Sequence, residues 1–285
     1  MFALHIETFM LQWATGGLAF LWVTGRRREV SIGYGWLLRL TYGLFALAAF
    51  SLAYRYERQP VLMISALATT LACAGVGWVS WTSRKAGVLH QRERVARRSA
   101  RVAKMTGIDR EVQVFDESVP EFPPNLDLIA PAFGIIGVIA GGAYAGSPVW
   151  LSVARMVVGA AFMGAVSDGM LLGHWYLTQP GLRREPLVEL TKWIGWIWPF
   201  QVGLLLVPPG MISALNGNID DGYNGMLSWF WVACAVMTIV LVIVTRLALK
   251  ERQYSAVMAA TGLLYLAILT AFGTDLVARA ILAMA

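Results

Sequence analysis

RMVVGAAFMGAVSDGMLLGHWYLTQ, residues 155–179, is an apolar run long enough to cross a bilayer, and it carries Arg155, Asp168 and His174. A hydrocarbon core about 30 Å thick needs roughly 20 helical residues. Inside it, an ionisable side chain costs at least about 2.5 kcal/mol on insertion scales, so it must be paired, neutral or hydrated. This stretch therefore sets the fold class and also poses the question of function.

Apolar runs of similar length recur on either side of it. They predict eight spans at 3–24, 35–55, 61–82, 128–146, 149–178, 189–209, 225–248 and 256–282. Composition agrees: 58% of the 285 residues are hydrophobic and 14% are charged, against roughly a half and a quarter in soluble domains. No ten-residue alternating pattern suggests a barrel, and open strand edges cannot sit in lipid. The expected fold is an all-α integral membrane bundle of about eight helices.

The loops orient it. Arg26 to Arg28, the 84–104 segment, Arg183-Arg184 with Lys192, and Arg246-Lys250-Arg252 fall on one side of an eight-span arrangement. His5, Glu7 and Asp220-Asp221 fall on the other. Under the positive-inside rule both termini lie outside the cytoplasm, as they would in a bacterial inner membrane. Trp175, Tyr176, Trp193, Trp196 and Trp198 are expected as an aromatic belt on the basic side. The net charge of +6 is thus a topology signal rather than a mark of nucleic-acid binding.

The chain divides into residues 1–83, with three spans, a charged loop at 84–127, and residues 128–285, with five spans. The loop's basic half holds Arg92, Arg94, Arg97, Arg98 and Arg101, and Val88, Val95 and Val102 recur every seven residues. That pattern predicts a basic helix lying on anionic lipid or docking a partner subunit. ERQ precedes an apolar run at 57–59 and again at 251–253. The match is short and is read as coincidence.

Asp168, flanked by Ser167 and Gly169, is expected either to hydrogen-bond a neighbouring helix or to serve as a proton or substrate site. Asp275 and Arg279, four apart, can pair on one helix face and extend such a path. Arg155 and Arg39 are expected to reach opposite interfaces. His174 lies six residues after Asp168, well round the helix, so the two form no dyad. With Trp175 and Tyr176 it could instead meet a quinone or chlorin.

A bis-histidine haem within the chain is not expected, because the other two histidines are His5 and His90. Cys73 and Cys234 form no CxxC. GxxxxGK[ST], HExxH and GxSxG are absent. Asn216, Asn218 and Asp220 alternate in a turn-rich loop without completing a calcium-binding pattern, so no metal site is expected.

Three functions remain in view. The first is a non-catalytic membrane subunit of a larger bioenergetic complex, electron-transporting or quinone-linked, with lipid and protein partners. The second is a small transporter or channel with a polar path through Asp168. The third is a lipid-modifying enzyme using Asp168, His174 and Glu189.

Overall fold

The computed structural model describes residues 5–56, 59–87, 116, 118–179, 182–251 and 253–284. The arginines at 92, 94, 97, 98 and 101, and the helix expected to carry them, lie outside these residues. The described residues contain eight long helices and no strand. They are α1 Ile6–Gly25, α2 Ile32–Arg55, α3 Pro60–Thr82, α4 Ile129–Ala145, α5 Val149–Thr178, α6 Glu185–Leu206, α7 Met226–Lys250 and α8 Tyr254–Phe272.

Proline sets several starts. Pro60 and Pro186 occupy first-turn positions, where the missing N–H costs nothing. Pro148 caps α5. The eighth run is not one regular helix: α8 passes through a π-helical turn, Gly273–Val277, before Ala278–Ala283. Six helical segments are long and apolar enough to cross a membrane; α1 and α6 fall outside that set. Together they define a multi-pass, all-helical membrane protein.

Large apolar side chains also cover outer faces. On α2 the large side chains Leu37, Leu40, Leu44 and Leu47 point outward, while Ala46, Ala49 and Ala53 point in. On α7, Val236, Val240, Ile243 and Leu247 point outward. With lipid outside there is no hydrophobic drive to bury leucine, and small residues on the inner face allow close helix approach.

The helices close into two rings of four. α1 packs on α2, α2 on α3, α3 on α4, and α4 back on α1. α5 packs on α6, α6 on α7, α7 on α8, and α8 back on α5. The rings meet where α1 and α4 pack on α5.

At the α1–α5 crossing the backbones touch. A Cβ added to Gly16 would lie 1.8 Å from the Ala160 carbonyl oxygen, and one added to Gly164 would lie 2.1 Å from the Gly16 carbonyl carbon. Only glycine permits this approach.

The basic connections gather at one end. Arg26 and Arg27 both bind Glu189, the latter at 2.9 Å. Arg28 binds Glu121 at 3.0 Å. The Arg184 guanidinium donates to the backbone oxygens of Glu251 and Gln253.

Candidate functional site

The α1–α5 seam between the rings carries two buried polar groups, one on each side of the glycine crossing. The first surrounds Asp275 and Arg279. Arg279 Nε lies 2.8 Å from Asp275 Oδ2, and both side chains are 1% exposed. Arg279 Nη2 also donates to Asp275 Oδ1 at 3.4 Å. Gln201 of α6 donates to Asp275 Oδ1 at 2.9 Å. Arg279 also donates to Gln12 Oε1 of α1 and to Met156 Sδ of α5. Gly159 makes room for the group, since a Cβ there would fall 2.2 Å from Gln12 Nε2. That amide nitrogen is buried and has no hydrogen-bond partner among the described residues. The i, i+4 pair expected from the sequence therefore forms, and it recruits α1, α5 and α6.

The second group centres on Asp168, which is fully buried. Tyr42 of α2 donates its hydroxyl to Asp168 Oδ1 at 2.5 Å. Oδ2 has no hydrogen-bond partner among the described residues. Tyr34 donates to the Asp168 backbone oxygen at 3.3 Å. Beside it Trp13 Nε1 donates to Ser167 Oγ at 2.7 Å. Tyr42 reaches across because its ring lies on Gly17, where a Cβ would fall 2.0 Å from Cζ.

Gly159 is ten residues from the start of α5, and Asp168 is ten from its end. At 1.5 Å per residue Gly159 and Asp168 each lie about 15 Å from the nearer end of α5, and about 13.5 Å from one another along its axis. Asp168 and the Asp275–Arg279 pair therefore share one seam without touching.

A cavity of about 50 Å³ opens from the basic end, lined in part by Arg28, Tyr34, Arg39 and Asp127. That volume can hold water. It reaches Tyr34, which bonds the Asp168 backbone. Its wall contains a pair that the sequence reading missed. Arg39 does not reach the headgroups; it is 5% exposed and grips Asp127 in a fork, Nε to Oδ1 at 2.7 Å and Nη2 to Oδ2 at 3.0 Å. Ser80 and the Phe122 ring complete its surroundings. The fork satisfies both charges locally, which outweighs extension to water.

Arg155 departs from expectation in the same way. It is 4% exposed, and its guanidinium donates to the carbonyls of Leu204, Val207 and Pro209 at the end of α6. These carbonyls lie in or just beyond the last turn of α6, where helical partners run out and the helix dipole is negative, so the cation is held inside.

His174, Trp175 and Tyr176 diverge. His174 is exposed, and its Nδ1 lies 2.8 Å from the Tyr265 hydroxyl. Trp175 Nε1 donates to Ser31 Oγ. Tyr176 is buried, not in a belt, and donates to the Arg183 carbonyl at 2.6 Å. Their polar contacts run to three different parts of the chain. Nor do Asp168, His174 and Glu189 converge, since Glu189 is held by Arg26 and Arg27 at the basic end.

No His, Cys, Asp or Glu cluster able to hold a metal occurs among the described residues. Asp221, in the turn-rich loop, instead caps α7. It accepts from the N–H groups of Tyr223, Gly225 and Ser228. Comparison with known proteins returned no matching family model, curated protein or solved structure.

Proposed function

We propose that this chain is a proton-linked membrane transporter in which all eight long helices cross the bilayer, with the basic connections in the cytoplasm and both termini outside. The observation that carries this reading is the pair of buried acidic groups on one inter-ring seam, set at Gly159 and Asp168, each about 15 Å from the nearer end of α5. Ionisable side chains inside a membrane bundle mark ion and proton pathways by default. Transport sites also tend to lie near the midplane, where repeated halves of a bundle meet.

The seam is closed between the two groups. About 13.5 Å of α5 separates Gly159 from Asp168, and the Gly16–Gly164 backbone contact lies between them. Passage therefore requires the rings to move, which favours a transporter over an open channel. In the state described, Tyr34 lines the 50 Å³ cavity and its hydroxyl bonds the Asp168 backbone oxygen. A proton arriving at Asp168 would complete Oδ2. Asp275 would receive a proton from the opposite side, and neutralising it would leave Arg279 held by Gln12 and Met156.

The test is proton uptake into sealed vesicles holding the protein, driven by a potassium diffusion potential. Wild type should exceed protein-free vesicles, and Asp168→Asn should remove the difference. Equal uptake by wild type and Asp168→Asn would refute the reading.

A second reading, a non-catalytic subunit of a bioenergetic assembly, has one observation in its favour. Ala74 and Gly75 are exposed on α3, and a Cβ at Gly75 or Gly77 would meet nothing within 4 Å. Such a surface lets another helix approach closely. Recovery of a fixed partner chain after mild solubilisation would support it.

A further inference from the structure

A cavity of about 540 Å³ opens at the basic end between the turn after α1 and the first half of α6. This is the size of a small-ligand site, and it lies apart from both acidic groups on the seam. Four cations line it, Arg26, Arg27, Arg184 and Lys192, against two carboxylates. One of those carboxylates, Glu189, is already neutralised by Arg26 and Arg27. Arg184 donates to the backbone oxygens of Glu251 and Gln253, and Lys192 is exposed.

The apolar wall is as specific as the charged rim. Glu189, Lys192, Trp193 and Trp196 follow the i, i+3, i+4, i+7 spacing and share one face of α6. Trp193 and Trp196 pack edge to face at 5.7 Å, and Trp196 is 61% exposed. From Glu189 to Trp196 the helix rises about 10 Å, so charge gives way to indole over that depth. A soluble anion needs only the rim. A molecule with an anionic head and an apolar tail uses both parts. Amphipathic indole rings and cation-lined pockets at a cytoplasmic interface are the features that recognise acidic headgroups.

We infer that this cavity is a binding site for one anionic phospholipid, its phosphate between Lys192 and the arginines and an acyl chain along Trp193 and Trp196.

The experiment is native mass spectrometry of the full chain in mild detergent, titrated with phosphatidylglycerol or phosphatidylcholine. One phosphatidylglycerol should be retained in preference to phosphatidylcholine. Lys192→Gln should weaken that binding about fivefold, the factor for losing one cation near a charged headgroup. Trp196→Ala should weaken it independently. Lys192 and Trp196 are exposed, and unchanged thermal unfolding would confirm that both variants fold. Equal retention of the two lipids would overturn the inference, as would full binding by Lys192→Gln. Displacement of the lipid by millimolar inorganic phosphate would also overturn it, by showing a site for free anions.

Discussion

Tyr42 on α2 and Asp168 on α5, 126 positions apart, meet in the centre of the bundle through a 2.5 Å hydrogen bond. The tyrosine satisfies one carboxyl oxygen, while the other is left without a hydrogen-bond partner among the described residues. The pair joins the two rings of helices and leaves a single open acceptor beside the seam.

Removing the tyrosine hydroxyl should be costly. Tyr42→Phe leaves a buried carboxyl with no side-chain donor, a loss of about 1–3 kcal/mol. Asp168→Asn keeps an acceptor for Tyr42 and should cost less. Thermal unfolding in detergent distinguishes the two variants. A smaller loss for Tyr42→Phe than for Asp168→Asn would contradict this assignment.

The glycine crossing can be tested by adding one methyl group. Gly16→Ala forces a Cβ against the Ala160 carbonyl and should destabilise by about 1–3 kcal/mol. Gly75→Ala adds the same methyl where nothing lies within 4 Å, so it should be neutral or slightly stabilising. Comparison of their unfolding midpoints removes any general effect of alanine.

Asp275 and Arg279 should behave as a unit. Arg279→Met alone strands a buried carboxylate and should cost about 3–5 kcal/mol. Asp275→Leu with Arg279→Met removes both charges and should be less destabilised than either single variant. Additive losses in chemical unfolding would show that the two do not interact.

Asp221 lies outside the spans and should give α7 an acid-sensitive start. Burial pushes its carboxyl up, but the backbone N–H groups of Ser228, Gly225 and Tyr223 and the Ser228 hydroxyl outweigh burial and hold it at about 2. An unfolded aspartate titrates near 3.9. The folded value is the lower one, so the contribution is complete above about pH 4 and is lost as pH falls toward about 2. Asp221→Asn should lose this acid sensitivity. Amide hydrogen exchange at Met226 to Trp229 measures it, and an unchanged pH profile in the variant would sink the idea.

The sequence showed the long helices because length and hydropathy are local properties, and six of the eight are long and apolar enough to cross a membrane. The eight predicted runs correspond to the eight long helices, with α6 starting four residues earlier, at Glu185 instead of Glu189. Asp168, Asp275 and Arg279 stood out because charge in an apolar run is conspicuous. Their partners did not, because partnership is a matter of distance in space. Gln12 and Arg279 are 267 positions apart, and Arg39 and Asp127 are 88 apart. Gln12 and Gln201 did carry a local signal, an amide inside an apolar run, and it went unread. The burial of Arg39 is not legible in its own span, which shows only how near the end a cation lies. The divergence of His174, Trp175 and Tyr176 follows from 100° steps round α5, which a contiguous motif conceals.

The central claim is that Asp168 exchanges a proton within the membrane. Infrared difference spectroscopy on protein in lipid, stepped between acid and alkaline buffer, reads this directly from the carboxylic-acid carbonyl stretch. Wild type should show a carboxyl band that appears and disappears with pH, and Asp168→Asn should lose that band while keeping the fold. An identical difference spectrum from wild type and Asp168→Asn would contradict the account.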